Sequence, residues 1–210
     1  MFTDLTGRVC LVVGGGHIAE GRTRLLAAHG AVLRLVTPDL SDGLADMVAR
    51  GEVAELRRRP FAADDLDGVF LALAATNYRD VNANIAEHAH ARGILCNVAD
   101  DPKACDVHIP AVVRRGDLTL AISTGGASPA VTAGVRRQLE QLFGPEWGEL
   151  LGLLGDLRED TKRRYPEPAL RAAAVRELVD DGRVLVLLRA GATADAYRYA
   201  RATLDLEGAV

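Results

Sequence analysis

The mostly apolar run Arg8-Val9-Cys10-Leu11-Val12-Val13 leads directly into three glycines, Gly14-Gly15-Gly16, and then into His17-Ile18-Ala19 and a helix-forming stretch. A short apolar strand that turns on glycine straight into a helix is the opening of a parallel strand–helix–strand unit, and few other folds accept it. The spacing Gly14-x-Gly16-x-x-Ala19 fits the dinucleotide-binding turn, with alanine at its third small position. The first glycine permits the tight bend, the second lets a pyrophosphate approach the backbone, and the small third residue lets the helix close on the strand. The first-turn amides then point at the anion, aided by the helix dipole. Gly14, Gly16, His17 and Ile18 are the cofactor-binding candidates of this turn.

The downstream pattern continues the alternation. Residues 8–13 read as a strand, 17–29 as a helix ended by Gly30, and 31–36 as a second strand. A short helix follows at 41–50 with Ser41 as N-cap. Glu52 to Arg58 reads as a strand near a sheet edge, and Val69 to Ala75 as a buried strand. A helix at 79–91 and a strand at 94–98 complete the series. This predicts an α/β fold, a Rossmann-like parallel sheet with helices on both faces.

Beyond Pro102 the pattern changes. Val107–Val113 and Leu118–Ser123 read as two strands around an Arg114–Asp117 turn. The glycine loop from Thr124 to Pro129 opens a helix over 129–143, with Ser128 as N-cap and Pro129 at its first position. From residue 146 the chain reads as three helical segments, Val184–Leu188 included. The expected division is a dinucleotide-binding domain at 1–106, a small α+β segment at 107–145 and a C-terminal helical domain at 146–210.

Apolar residues make up 49% of the chain but aromatics only 4%, so the core must be built from Leu, Val and Ala, as when helices cover a parallel sheet. A net charge of −4 excludes a general nucleic-acid binder. Three cysteines without a CxxC pair suit a reducing compartment. The start, Met1-Phe2-Thr3-Asp4, lacks the features of a secretory leader, and no apolar run approaches the roughly 20 residues of a membrane span. The expectation is a cytoplasmic protein without a membrane partner.

Four further places carry candidate chemistry. Thr37-Pro38-Asp39 ends the second strand, where a carboxylate favours a ribose 2′-hydroxyl and repels a 2′-phosphate. No arginine directly follows Asp39, so NAD is preferred over NADP. Ala75 and Thr76 end the next buried strand, where small residues let a cofactor lie close to backbone. Asn97, Val98, Asp100 and Asp101 follow the fifth strand. A carboxylate there is placed to act as general base beside a nicotinamide, and spacing alone does not choose between the two aspartates. Thr124, Gly125, Gly126 and Ser128 form a loop that either binds an anion or simply caps its helix. No metal site is expected, because His88 and His90 lie on different helix faces and there is no HExxH or Cys cluster.

Taken together, Val12 to Ala19, Leu73 to Asn77 with Val81-Asn82, Cys96 to Pro102 and Ile122 to Pro129 resemble the precorrin-2 dehydrogenase / sirohydrochlorin ferrochelatase family, the dehydrogenase module of siroheme synthase. The resemblance covers residues 1–145 closely and the remainder loosely. It implies NAD-linked oxidation of precorrin-2 to sirohydrochlorin. Some family members also insert ferrous iron to give siroheme. It implies Asp100 as the base and His17, Ile18, Pro38 and Asp39 as cofactor contacts. It also implies a homodimer built largely on the 107–145 segment. The tetrapyrrole's carboxylates would fall to the Thr124–Ser128 loop and to local arginines. Asn77 stands where the family commonly has Asp, His108 where it has an apolar residue, and Thr124 where it has Ser. No counterpart of the family's fused methyltransferase domain is read in the chain, so the preceding methylation is expected from another protein. Two other readings share the glycine turn. A dinucleotide-sensing module without turnover leaves Asp100 and the second glycine loop unexplained. A chelatase without redox function predicts metal insertion independent of NAD.

Overall fold

A computed structural model describes residues 2–206. Five parallel strands, β1 (Val9–Val13), β2 (Val32–Val36), β3 (Glu55–Arg57), β4 (Leu71–Ala74) and β5 (Leu95–Val98), form a sheet in the order β3-β2-β1-β4-β5. Helices α1 (His17–Ala27), α2 (Asp42–Ala49) and α3 (Arg79–His90) connect them. β1 is central, pairing Val13 with Val36 of β2 on one side and with Ala74 of β4 on the other. The chain runs to β2 on one side of β1 and to β4 on the other, so strand order reverses at its carboxyl end, the place where doubly wound sheets open a crevice.

The apolar runs follow from burial on both faces. Alternate residues of β1 and β4 enter opposite cores. Leu11, Val13, Ala72 and Ala74 pack with Ile85, Ala86 and Ala89 of α3. Cys10, Val12, Leu71 and Leu73 pack with Ala19 and Leu26 of α1 and with Leu44 and Met47 of α2. A strand buried on both sides has no polar face to alternate with, so it reads as continuous hydrophobic sequence. The expected Rossmann-like sheet is present. β3 is shorter than the predicted Glu52–Arg58 strand and sits at the sheet edge, as expected.

The chain divides into two compact units, one through Ile109 and one from Pro110 onward. The second holds the antiparallel pair β6 (Ala111–Arg115) and β7 (Leu118–Ile122), α4 (Pro129–Leu142), α5 (Glu146–Asp156), α6 (Arg158–Arg164), α7 (Pro168–Asp180), α8 (Arg183–Arg189) and α9 (Thr193–Thr203). β6 starts four residues later than predicted. Val107 and Ile109 pack against the first unit's core instead, and Pro110 has no N–H for a ladder. The hairpin turn shrinks to Gly116-Asp117, because Arg115 pairs with Leu118 and its guanidinium donates to the Phe143 and Glu140 carbonyls at 2.7 and 3.0 Å. The C-terminal stretch forms five helices among the described residues, not three. Gly182 and Gly191, at φ of +68° and +71°, supply left-handed breaks on either side of α8, and Val184–Leu188 is helical as expected. α5 lies close on the hairpin turn: a Cβ on Gly148 of α5 would come within 2.8 Å of the Arg115 carbonyl.

Burial alone pushes the Cys10 thiol up to about 11, and burial leads in raising that of Cys96 to about 12. Both are fully buried, whereas Cys105 is half-buried. In the native protein at pH 8 a thiol reagent should therefore modify Cys105 alone, with Cys10 and Cys96 reacting only after denaturation. Rapid labelling of all three in native buffer would contradict the packing described.

Candidate dinucleotide site

The carboxyl ends of β1 to β4 converge on a cleft of about 710 Å³. Its floor is the glycine turn, and the three glycines differ in why they are glycine. Gly14 has a φ of +128°, and its amide donates to the Val36 carbonyl at 3.0 Å. A Cβ there would overlap the Ala75 carbonyl. A Cβ on Gly15 would overlap the Asp39 carbonyl and stand 2.6 Å from Thr37 Oγ1. Gly16 has an ordinary φ of −88°, and nothing lies within 4 Å of where its Cβ would be. Steric contact within the fold therefore explains Gly14 and Gly15 but not Gly16, whose Cβ would meet open space. α1 begins at that point without a side-chain cap, which leaves its first-turn amides for an external acceptor.

The wall from β2 is fastened to this turn. The Ser41 amide donates to the Gly15 carbonyl at 2.8 Å, and Thr37 Oγ1 donates to the Asp39 carbonyl at 2.7 Å. Ser41 caps α2 as expected, accepting from the Leu44 amide at 3.3 Å, while its hydroxyl donates to Glu20 Oε2 at 2.7 Å. The Ser41 hydroxyl, then Arg24, hold the Glu20 carboxyl below its ordinary range. Pro38 and Asp39 are thereby presented, exposed, along the cleft. On the β4 side Thr76 is clasped by the buried Asn82. Its amide and hydroxyl donate to Asn82 Oδ1 at 3.1 and 2.7 Å, and Asn82 Nδ2 donates back to the Thr76 carbonyl at 3.1 Å. That clasp is the local reason for the Thr76…Asn82 spacing.

Gly14, Gly16, His17, Thr37, Pro38, Asp39, Ala75 and Thr76 all border the one cleft. Ile18, Asn97, Val98 and Asp100 do not. Ile18 is half-exposed, the Asn97 carboxamide donates to the Val107 carbonyl at 2.8 Å, and the Val98 side chain lies in the core. The cleft also takes in residues that the sequence does not assign to the dinucleotide, chiefly Arg59 and Phe61 beyond β3 and Tyr78 beyond β4. Pairing of β3 beside β2 brings Arg59 there, and only the strand order reveals it.

Asp100 lies one strand over. The Ala99 amide donates to the Ala74 carbonyl at 2.8 Å, so β5 ends beside the strand that leads into the cleft. Beyond it Asp100 is exposed with a φ of +65°, an unusual conformation for a residue other than glycine. The two aspartates part company here. Asp101 Oδ1 accepts from the Lys103 amide at 3.1 Å and so closes the following turn. The Asp100 carboxylate has no hydrogen-bond partner among the described residues. Cys105 braces the turn below, its sulfur accepting from the Val98 amide at 3.1 Å. Strain at an exposed, unengaged carboxylate is a pattern of functional loops.

In the second unit, Gly125 and Gly126 have φ of +61° and +83°. Thr124 Oγ1 accepts from the Ser128 amide at 3.3 Å and shares a hydrogen bond with Thr132 Oγ1 at 3.0 Å. Ser128 Oγ caps α4 through the Val131 amide at 3.3 Å. Both hydroxyls thus shape the loop. Among the described residues no group of three or more His, Cys, Asp or Glu is placed to hold a metal ion. His90 pairs with Asp106 at 3.0 Å, and His108 is exposed.

The unequal glycines make a direct prediction for stability. Gly15→Ala should cost about 1–3 kcal/mol through backbone overlap, whereas Gly16→Ala should stay within about 0.5 kcal/mol of the parent. Denaturant melts of the two variants check this, and equal losses would show that the turn is not built as described.

Comparison with known proteins agrees with this geometry. A family described as "Putative NAD(P)-binding" matches residues 1–111, and one described as "Sirohaem biosynthesis protein central" matches residues 115–142. The siroheme synthase of Stutzerimonas stutzeri (strain A1501) is 38% identical over 198 residues, 94% of this chain and 42% of that protein. The siroheme synthase of Pseudomonas entomophila (strain L48) is 39% identical over 205 residues, 98% of this chain and 44% of that protein. The chain thus spans less than half the length of these curated relatives. A solved structure titled "SirC, precorrin-2 dehydrogenase" superimposes with a TM-score of 0.78 at 29% identity, covering 96% of this chain and 98% of that one. The chain belongs to this NAD(P)-binding family, and a segment matching the sirohaem biosynthesis central family follows it.

Proposed function

We propose that this chain oxidises precorrin-2 to sirohydrochlorin with NAD as the hydride acceptor. The single observation that carries the reading is Gly16, whose Cβ would meet open space, at an uncapped helix start that borders a cleft. The residues fit a dinucleotide. The amides following Gly16 would hold the pyrophosphate, with His17 and Ile18 in that first turn. Thr37, Pro38 and Asp39 would form the ribose wall, where the Asp39 carboxylate favours the 2′-hydroxyl of NAD over a 2′-phosphate. Ala75 and Thr76 would give a close backbone floor, and the ends of Asn97 and Val98 would shape the route toward Asp100. NAD, when bound, supplies the electron-pair acceptor.

The remaining chemistry falls to the chain. A carboxylate oxygen of Asp100 takes the proton that leaves the carbon framework as the pyrroline is oxidised. The left-handed backbone and the Cys105 brace hold that carboxylate out from the sheet rather than folded onto its own turn. Thr124, Gly125, Gly126 and Ser128 offer loop amides for a substrate carboxylate. The substrate is a tetrapyrrole polycarboxylate, and ferrous iron enters this reading only as the substrate of a further chelation step.

We further propose a homodimer. α4 is a 14-residue helix with no buried residue, and it exposes Val131 and Leu142. A helix with large apolar side chains in solvent calls for a covering surface. No helix among the described residues is long and apolar enough to cross a membrane. The three cysteines are all free, which suits the reducing cytoplasm.

Asp100→Asn should bind NAD with parental affinity and lose precorrin-2 oxidation by at least about a hundredfold, followed anaerobically as NADH absorbance. Near-parental turnover in that variant would remove Asp100 from the proton transfer. Absence of NAD binding in the parent would overturn the reading itself.

A further inference from the structure

Besides Asp39, the charged residues Arg59 and Asp80 line the cleft, and Arg59 is its cation. Val36 of β2 pairs with Arg57 of β3, and the Thr37 amide donates to the Arg57 carbonyl at 3.1 Å, so the two strands end side by side. Asp39 and Arg59, just beyond those ends, line the same wall. A 2′-phosphate on a ribose held at the end of β2 would meet a guanidinium from β3, the usual partner for such a group. The absence of an arginine directly after Asp39 is therefore not what excludes it.

The Arg59 charge is already engaged. Its Nη1 and Nη2 donate to Asp65 Oδ2 and Oδ1 at 2.9 and 2.8 Å, and Nη1 also donates to the Pro60 carbonyl at 2.9 Å. Asp65 is fully buried, and it further accepts from Arg57 Nη1 at 2.5 Å and from the Ala62 amide at 2.8 Å. Burial opposes its ionisation, but Arg59, the Ala62 amide and Arg57 outweigh that and hold its carboxyl below the usual carboxylate range. Arg57 is itself shared with Glu55 at 2.6 Å. The fork that would grip a phosphate thus grips a buried carboxylate outside the cleft.

We infer that Asp65, which does not line the cleft, sets the choice between NAD and NADP by keeping Arg59 neutralised. Asp65 is a positioning residue: it acts on the cofactor only through Arg59. Without its charge, the Arg59 guanidinium keeps only the exposed Asp64, 3.8 Å away, as carboxylate partner, and it offsets the repulsion from Asp39. This inference rests on the dinucleotide reading of the cleft and extends it to the third strand.

Equilibrium dissociation constants for NAD and NADP separate the two claims. Failure of the parent to bind either dinucleotide defeats the dinucleotide reading. Binding with unaltered selectivity in Asp65→Asn defeats only the present inference. Asp65→Asn should shift the preference toward NADP by about tenfold or more, and Asp65→Asn with Arg59→Gln should return it to the parental value. An unchanged preference in folded Asp65→Asn overturns the inference. Arg59→Gln alone leaves Asp65 its bonds to Arg57 and Ala62, so it tests the claim even where Asp65→Asn does not fold. A neutralised Arg59 predicts a change in preference below about twofold in that variant. A tenfold loss of NADP affinity there would show that Arg59 receives the 2′-phosphate despite Asp65, and the inference would fall.

Discussion

Everything in the first unit depends on one steric constraint: the turn after β1 is gripped between two carbonyls. The Ala75 carbonyl closes on Gly14 from the β4 side, and the Asp39 carbonyl closes on Gly15 from the β2 side. No side chain fits at either position, so the turn lies close across the carboxyl ends of β2 and β4, where the strand order reverses. That fixes where α1 begins and which way its first amides point. It also brings the ends of β2 and β4 against the turn, and with them Asp39 and Thr76. Gly16 is then the one open side of an otherwise closed arrangement.

The charge arrangement follows from the same topology. The sheet order places β3 beyond β2, so the residues after β3 complete the wall that β2 begins. Buried Asp65 sits behind that wall and binds two guanidiniums at once. An ionised group buried this deeply persists only because both partners and a backbone amide satisfy it. On the far side of β1, β5 ends in an exposed aspartate whose backbone is strained and whose carboxylate is unengaged. The cleft is thus flanked by a neutralised cation on the β3 side and a bare carboxylate on the β5 side.

Much of this was legible in the sequence, for physical reasons that differ by element. The glycine turn and the alternating strands and helices show because strands buried on both faces must be continuously apolar, as Leu71–Ala74 is. Ser41 and Ser128 show because an N-cap needs a short side-chain acceptor at a fixed offset. Asp100 and Asp101 are indistinguishable by spacing, and the resemblance alone chose between them. The structure separates them by φ and by the Lys103 amide. Arg59 and Asp65 are invisible to local pattern, because their meaning comes from β3 lying beside β2. The β6 start was misplaced because Val107 and Ile109 look like strand residues, yet they are apolar to fill the first unit's core. The C-terminal stretch reads as three helical segments rather than five because a break such as Leu157, a helical-φ residue shared by α5 and α6, leaves no turn residue to mark it.

The account stands or falls on what occupies the open side of Gly16. A crystal structure of the chain with NAD reads this directly. The account predicts pyrophosphate oxygens within hydrogen-bond reach of the amides after Gly16, with the ribose diol at Asp39. A dinucleotide bound elsewhere, or a saturating soak that leaves the glycine turn bare, would contradict it.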